Sequence, residues 1–224
     1  MRILISHVNF PAQFRRLLTY WLEKGHDLKF VCRQTEWHAQ IPENLDILAY
    51  SVDRSSSGPH IHPYVRRFER AIFEGQEVYR RCRNLLDLNW VPDVVITHLG
   101  FGNGLFLSDL FPSSTRIGLV EWFYNSSDSD VDFLKTSSVS ENHKLQLRVW
   151  NSEVLLEMSS LDAIVTPTYW QRDQFPLLFR DKISVIHEGV DCNFLRSIAK
   201  SESSRSEFQS LGVELPEGAE VLTY

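Results

Sequence analysis

Short runs of apolar residues alternate along the chain with longer segments in which apolar residues recur every three or four positions. Runs that are apolar throughout predict strands buried on both faces, and the three-or-four spacing predicts helices. The predicted strands lie at residues 2–6, 28–32, 45–50, 93–97, 115–121, 162–166 and 183–187. The predicted helices lie at residues 13–24, 63–88, 104–110, 141–160 and 168–175. This alternation indicates a doubly wound α/β fold, a mostly parallel Rossmann-like sheet with helices on both faces.

The longest predicted helix begins at Pro63 and carries one continuous apolar stripe on one side. The stripe consists of Val65, Phe68, Ile72, Gly75, Tyr79, Cys82 and Leu86. Gly75 predicts close packing against another element, because glycine otherwise costs helix stability. The remaining faces are charged and are expected to be solvated, with ion pairs between their side chains. Those faces carry Arg66, Arg67, Glu69, Arg70, Glu74, Glu77, Arg80 and Arg81.

The C-terminal part of the chain differs in composition from the rest. Residues 198–206 are rich in Ser, Lys, Glu and Arg, and residues 220–224 resemble the beginning of a strand. A strand with nothing after it to cover it indicates a chain that stops at the first strand of a further domain. We therefore expect a Rossmann-like N-terminal domain at residues 1–195, followed at 196–224 by a linker and the start of a truncated donor-binding domain.

Composition and charge narrow the class of protein. The 224 residues carry a formal net charge of -6 with no basic run, which argues against a nucleic-acid partner. No secretory signal or bilayer-spanning apolar stretch is evident. Three widely spaced cysteines favour buried reduced thiols over disulfides or zinc. These features predict a cytoplasmic protein, with peripheral contact at the inner face of the membrane as an alternative role for the basic helix face. They predict no particular oligomeric state.

In a doubly wound sheet, ligands bind in the crevice beyond the carboxyl ends of the strands, so the residues after each strand are the candidates for function. The loop after the first strand contains Pro11, Ala12 and Gln13 in place of the glycines of the dinucleotide fingerprint. A nicotinamide-dependent oxidoreductase is therefore disfavoured. The helix N-terminus that follows suits an anion such as a diphosphate, although an ordinary turn fits equally well.

The fourth and fifth strands end in the strongest candidates. His98 precedes the glycine-rich segment 100–104, where an imidazole suits a hydroxyl or a phosphate, with a structural hydrogen bond as the alternative. Glu121 ends an apolar strand, and such a carboxylate is costly to bury unless it is paired or used. Glu121 is thus the best candidate for acceptor binding or proton handling, with an arginine-paired carboxylate as the alternative. The aromatic residues after it, Trp122 and Tyr124 among them, suit either stacking on a sugar or the core.

No metal site is predicted. The run from Asp128 to Asp132 lacks the glycine and the final glutamate of a calcium loop. His60 and His62 have no third and fourth ligand nearby in the sequence.

An ordered series of motifs resembles the N-terminal domain of the glycosyltransferase family 4 proteins. The motifs are NFPAQF at 9–14, GHD at 25–27, HPYVRRFE at 62–69, PDVV at 92–95, HLGFGNGLFL at 98–107, TPTYWQ at 166–171, FP at 175–176 and KISVIHEGVD at 182–191. The resemblance implies a GT-B enzyme, in which two Rossmann-like domains face each other across a cleft. It implies that the N-terminal domain binds the acceptor, that transfer retains anomeric configuration, and that neither a cofactor nor an essential metal is used.

The resemblance also implies roles for particular positions. Residues 11–13 would approach the donor diphosphate, and Glu121 and His98 would be the catalytic pair. The acceptor-binding residues would be Gly100, Gly102, Asn103, Trp122 and Tyr124, and the interdomain cleft would contain Glu188 and Gly189. Two positions depart from the family pattern: Ala12 replaces a usual glycine, and Glu121 replaces a histidine that related enzymes often carry.

These observations predict the N-terminal half of a retaining, hexosyltransferase-type glycosyltransferase that is inactive by itself. The substrates implied are a nucleotide-sugar donor and a glycan or lipid-linked acceptor, in polysaccharide or glycoconjugate biosynthesis. The alternative is a non-catalytic Rossmann-like module that binds a glycan or a protein.

Overall fold

Seven parallel strands form one sheet in a computed structural model that describes residues 1–34, 41–55, 58, 60–132, 139–193 and 196. The strands are β1 (Arg2–Ser6), β2 (Asp27–Arg33), β3 (Leu45–Tyr50), β4 (Val94–His98), β5 (Thr115–Leu119), β6 (Ala163–Thr166) and β7 (Ile183–Val185). Their spatial order is β3-β2-β1-β4-β5-β6-β7, and every neighbouring pair is parallel. The predicted doubly wound α/β fold is confirmed.

Helices make most of the connections between the strands. They are α1 (Arg15–Glu23), α2 (Arg66–Asp87), α3 (Leu107–Leu110), α4 (Glu141–Trp150), α5 (Ser152–Met158), α6 (Tyr169–Gln174) and α7 (Leu177–Arg180), with short 3-10 helices at Ala12–Phe14 and Asp130–Asp132. The single helix predicted at 141–160 is two helices, α4 and α5, which are divided at Asn151. The side-chain amide of Asn151 makes two hydrogen bonds to the backbone of Tyr124. Among the described helices, none is long and apolar enough to cross a membrane.

The core lies on both faces of the sheet because successive side chains of a strand point to opposite sides. Leu4 of β1 packs with Val78 and Cys82 of α2 on one face, while Ile3 and Ile5 pack with α1 on the other. A third cluster joins α5 to the β5–β7 side of the sheet. The expectation of buried thiols is met by Cys32 and Cys82 but is wrong for Cys192, which lies after the last strand and is exposed.

The buried face of α2 overlaps only in part with the predicted apolar stripe, of which Gly75 and Cys82 are buried. Val65 and Leu86 of the stripe are exposed. The buried residues are Ala71, Glu74, Gly75, Val78, Cys82 and Leu85. The expectation of a solvated Glu74 is therefore wrong: its carboxylate is buried, pairs with Arg33 and accepts a hydrogen bond from the Tyr50 hydroxyl at 2.9 Å.

Small residues explain the orientation of α2. A Cβ atom on Gly75 would lie 2.7 Å from the carbonyl oxygen of Gly102, which confirms the close packing expected there. A Cβ atom on Gly102 would in turn lie 2.2 Å from the carbonyl oxygen of Ala71. Contacts this short exclude any larger side chain, so they outweigh the preference of the large apolar residues for the core.

The chain divides into two compact units, residues 1–187 and 188–224. The first unit contains all of the strands and helices named above. In the second unit the structure describes residues 188–193 and 196, where the Cys192 N–H donates to the Val190 carbonyl at 3.0 Å. Residues 194, 195 and 197–224 lie outside the described residues, so the boundary at 195 and the linker at 196–224 stay predictions.

Candidate functional site at the strand tips

The order of the strands reverses between β1 and β4. The chain passes from β1 to β2 and β3 on one side, and then from β4 to β5, β6 and β7 on the other. Because all strands are parallel, the segments that follow β1, β4 and β5 leave the sheet at the same edge. Ligands of doubly wound sheets bind in the crevice at this reversal.

Three of the predicted residues meet at this edge. His98 Nε2 lies 3.0 Å from Glu121 Oε2, and the Gln13 side-chain amide donates to the same oxygen at 3.2 Å. The Gln13 amide nitrogen also lies 3.5 Å from His98 Nε2. The side chain of His98 is 6% exposed and that of Glu121 is 31% exposed. A buried imidazole thus holds a carboxylate that solvent, and hence a substrate hydroxyl, can still reach.

The Glu121 carboxylate is stabilised in its ionised form. The hydrogen bond from His98 lowers its pKa, aided by the charge of His98 and by the hydrogen bond from Gln13, while burial acts in the opposite direction. Glu121 is therefore an acceptor of hydrogen bonds at neutral pH.

His7, which the sequence prediction did not single out, belongs to the same cluster. Its ring packs edge-on against His98, with centroids 4.9 Å apart, and against Phe101 at 5.6 Å. Its Nδ1 accepts the Asn9 N–H at 2.8 Å. Burial, together with repulsion from His98, lowers the pKa of His7 to about 4, so the ring is neutral at pH 7. His7 directly follows β1, so the strand-tip rule that selected His98 also applies to it.

The loop at residues 11–13 delivers Gln13 to this cluster. Ala12 has φ +49, a left-handed conformation that costs a residue with a Cβ atom about 1 kcal/mol. The Phe14 N–H donates to the Pro11 carbonyl at 3.1 Å and closes the turn into α1. A glycine, which the resemblance to family 4 implies at this position, would adopt this backbone conformation without that cost.

The glycine-rich segment after β4 is held in place from α5. Glu157 is buried, and its carboxyl oxygens accept the N–H groups of Gly100 at 3.1 Å and Gly104 at 2.9 Å. Burial raises the pKa of Glu157 to about 8, although these two hydrogen bonds oppose the rise. The sequence carries no signal for Glu157, because a single glutamate in a helix is typical of a solvent-exposed residue.

The remaining predicted acceptor residues are distributed around this segment. Asn103 is buried, and its amide donates to the Ser6 carbonyl at 2.8 Å, so it joins the β4 loop to the end of β1. Gly102 is buried against α2. Trp122 contacts Trp170, with ring centroids 6.0 Å apart.

Tyr124 and Gly100 contact Arg67, a residue that the prediction assigned to a solvated face. The guanidinium lies 4.6 Å from the centroid of the Tyr124 ring and donates to the Gly100 carbonyl at 3.2 Å. It also donates to the buried Glu153 carboxylate at 2.7 Å. Burial tends to lower the pKa of Arg67, but the hydrogen bond and charge of Glu153 outweigh it and raise that pKa.

Glu188 and Gly189 belong to the second unit and are exposed, and Gly189 has φ +75. The described residues contain no group of three or more His, Cys, Asp or Glu side chains arranged to hold a metal ion.

The chain is similar in sequence to a known family. The profile of the glycosyl transferase family 4 group matches residues 24–195, which is most of the chain. No curated protein matches it at the sequence level.

Solved structures with the same fold are remote in sequence. Sucrose-phosphate synthase from Thermosynechococcus elongatus has 12% identity and a TM-score of 0.59, covering 97% of this chain and 53% of that one. A UDP-glucose:anthocyanidin 3-O-glucosyltransferase in complex with UDP has 14% identity and a TM-score of 0.55, with coverages of 93% and 57%. UDP-GlcNAc 2-epimerase from Methanocaldococcus jannaschii has 16% identity and a TM-score of 0.50, with coverages of 96% and 54%.

These likenesses show the fold alone, and the fold serves both transferases and an epimerase. The chain spans a little over half the length of each of these structures.

Proposed function

The chain belongs to the glycosyl transferase family 4 group, and from this premise we propose that it is the acceptor-binding half of a retaining glycosyltransferase. The reaction moves a sugar from a nucleotide-sugar donor to a glycan or lipid-linked acceptor. Such a reaction fits polysaccharide or glycoconjugate biosynthesis in the cytoplasm, at or near the inner face of the membrane.

The observation that carries this proposal is the Glu121 carboxylate at the strand tips, ionised and accessible beside a buried imidazole. An ionised carboxylate accepts a hydrogen bond from a sugar hydroxyl and so orients that hydroxyl for attack. His98 and Gln13 both bond to the Oε2 oxygen of Glu121 and restrict its rotation. Glu121 acts on the acceptor, and His98 and Gln13 position Glu121.

The donor side of the proposal draws on the family and on a fold neighbour. One neighbour is named as a UDP-glucose-dependent glucosyltransferase in complex with UDP, which supports a nucleotide-sugar donor here. The loop at residues 11–13 leads into the N-terminus of α1, whose positive end suits a diphosphate. The donor sugar and base would bind mainly to a second Rossmann-like domain, with Glu188 and Gly189 at the passage towards it.

The test is sugar transfer by the full-length protein, screened over nucleotide sugars and glycan or lipid-linked acceptors. We expect Glu121→Gln to lower kcat at least about 100-fold, because the amide keeps the shape but loses the negative charge. Glu43→Gln is the matched control and should transfer at the wild-type rate, because Glu43 is exposed and precedes β3, at the edge of the sheet opposite the strand tips.

Two outcomes would count against the proposal. Transfer by Glu121→Gln within about twofold of wild type would remove Glu121 from the mechanism. Acceptor binding without transfer from any donor would favour the non-catalytic binding module.

A further inference from the structure

A cavity of about 680 Å³ opens between the first turns of α2 and the carboxyl ends of β2 and β3. Its described lining includes five arginines and no aspartate or glutamate. The arginines are Arg33, Arg54, Arg66, Arg67 and Arg70. We call this space the arginine cavity. Such a concentration of cationic side chains is unusual in a chain whose formal net charge is -6.

The arginine cavity leads towards the strand tips. A second cavity of about 410 Å³ shares Arg33, Arg67 and Arg70 with it, and is also lined by Phe101. The Phe101 ring packs against His98, with centroids 5.3 Å apart. The arginine cavity therefore adjoins a second cavity that reaches the Phe101 ring beside His98.

Two of the arginines are fixed by buried carboxylates. Arg33 pairs with Glu74, and Arg67 pairs with Glu153, and both glutamates are almost fully buried. Replacing either arginine would leave a buried charge unpaired, which is strongly destabilising. These two side chains thus form a rigid wall between the two cavities.

Arg70 differs from them, because it has no hydrogen bond or ion pair to any residue of the described part of the chain. It is exposed and lines both cavities. Its guanidinium carries several N–H donors in a planar fork that matches the oxygens of a phosphate. Arg70 is therefore the arginine most available to an anionic ligand.

The position of the arginines on α2 adds a second argument. Arg66, Arg67 and Arg70 lie in the first two turns of the helix, where the positive end of the helix dipole disfavours cations. Glu69 is the acidic residue of that first turn. A bound anion would interact favourably with the arginines and with the helix end together.

Resting on the proposed function, we infer that the arginine cavity binds a phosphate ester of the acceptor. The acceptor would thus be a phosphorylated molecule whose phosphate lies among the arginines while its hydroxyl reaches Glu121. The phosphate can come from a soluble sugar phosphate or from a lipid-linked sugar diphosphate, and the two sources share this chemistry.

Calorimetric titration of this chain with pyrophosphate at low salt tests the inference without requiring turnover. We expect Arg70→Gln to weaken binding about tenfold and Arg66→Gln with Arg70→Gln to weaken it about 100-fold. Arg81→Gln is the matched control, because it removes one exposed charge from the same helix outside the cavity lining, and its affinity should stay within about twofold of wild type. Unchanged thermal unfolding of the variants establishes that they fold.

Further arms of the experiment distinguish the two sources. If a hexose 6-phosphate competes with pyrophosphate, and this competition depends on Arg70, the acceptor is soluble. If the protein binds vesicles that contain a polyprenyl diphosphate, and this binding depends on Arg70, the acceptor is lipid-linked. Equal affinity of Arg70→Gln and Arg81→Gln for every probe overturns the inference.

The inference and the proposed function fail separately. If transfer depends on Glu121 but anion binding does not depend on Arg70, only the inference about the arginine cavity is wrong. If anion binding depends on Arg70 but the full-length protein transfers no sugar, the anion site is supported and the proposed glycosyltransferase function is wrong.

Discussion

At the scale of single residues, His7 links the candidate site to the stability of the fold. Its pKa is lowered by burial from the usual 6.5 to about 4. Between these pH values the unfolded chain binds a proton at His7 and the folded chain does not, so stability is lost as pH falls through that window. We predict that the titration of His7 lowers the unfolding free energy by about 3 kcal/mol when the pH falls from 7 to 4.

Chemical denaturation of wild type and His7→Asn at a series of pH values measures this contribution. Asparagine keeps an acceptor for the Asn9 N–H but does not titrate, so its stability should fall less steeply towards pH 4. His60→Asn is the control, because His60 is exposed, and it should follow the wild-type pH dependence. Parallel curves for wild type and His7→Asn would show that His7 does not titrate as inferred.

The residues of the site were predictable to the extent that topology alone decides their position. Parallel strands end at one edge, so His98 and Glu121 had to lie near each other once the sheet order was right. The contacts to Gln13 and His7 depend on the loop after β1 and on side-chain packing, which no local pattern encodes. Asn103 shows the limit of the rule, because it follows a strand tip but is buried against Ser6.

At the scale of secondary-structure elements, the packing of α2 on the β4 loop leaves no room for a side chain at Gly102. Gly102 combines φ +83 with a position where a Cβ atom would lie 2.2 Å from the Ala71 carbonyl oxygen. Gly25 has φ +73 but open space around it. We predict that Gly102→Ala lowers the unfolding free energy by about 3 kcal/mol or more, whereas Gly25→Ala lowers it by about 1 kcal/mol.

Urea denaturation of the two variants separates the two effects. The cost of Gly25→Ala measures the backbone conformation alone, and the excess cost of Gly102→Ala measures the close approach of α2. Equal costs would mean that the helix moves away from the loop without penalty, and the account of its orientation would then be wrong.

Periodicity predicted the seven strands and most of the helices, but it did not predict α7, the division of α4 from α5, or the full buried face of α2. The prediction placed Phe68, Ile72 and Tyr79 in the buried stripe, yet all three are only partly buried. Their size prevents the approach that Ala71 and Gly75 allow. Because α2 packs through Ala71 and Gly75, Glu74 also faces the core. There its carboxylate pairs with Arg33 of β2.

At the scale of the whole molecule, the arginine cavity and the strand tips form two halves of one proposed acceptor site. The cavity draws its arginines from the end of β2, the segment after β3 and the start of α2. Because these segments are far apart in sequence, the pattern of α2 alone could not indicate the cavity. It predicted only a solvated helix face with ion pairs. The sheet order brings them to one side of β1, and the Glu121 cluster lies where β1 and β4 meet.

This arrangement leads to a prediction about what the chain does by itself. Transfer requires the donor and acceptor to be held together, and the chain spans a little over half the length of its structural neighbours. We predict that the isolated chain binds its acceptor but transfers no sugar from any nucleotide sugar. Calorimetry with the acceptor identified for the full-length protein, alongside a transfer assay, measures both properties on one preparation.

The same preparation of Glu121→Gln shows whether acceptor binding takes place at the strand tips. The lost charge-assisted hydrogen bond should weaken acceptor binding about tenfold, while Glu43→Gln should bind as wild type does. Turnover by the isolated chain would contradict the prediction, because residues 1–224 would then supply the donor site as well. Acceptor binding that is indifferent to Glu121 would instead place the acceptor away from the point where β1, β4 and β5 end.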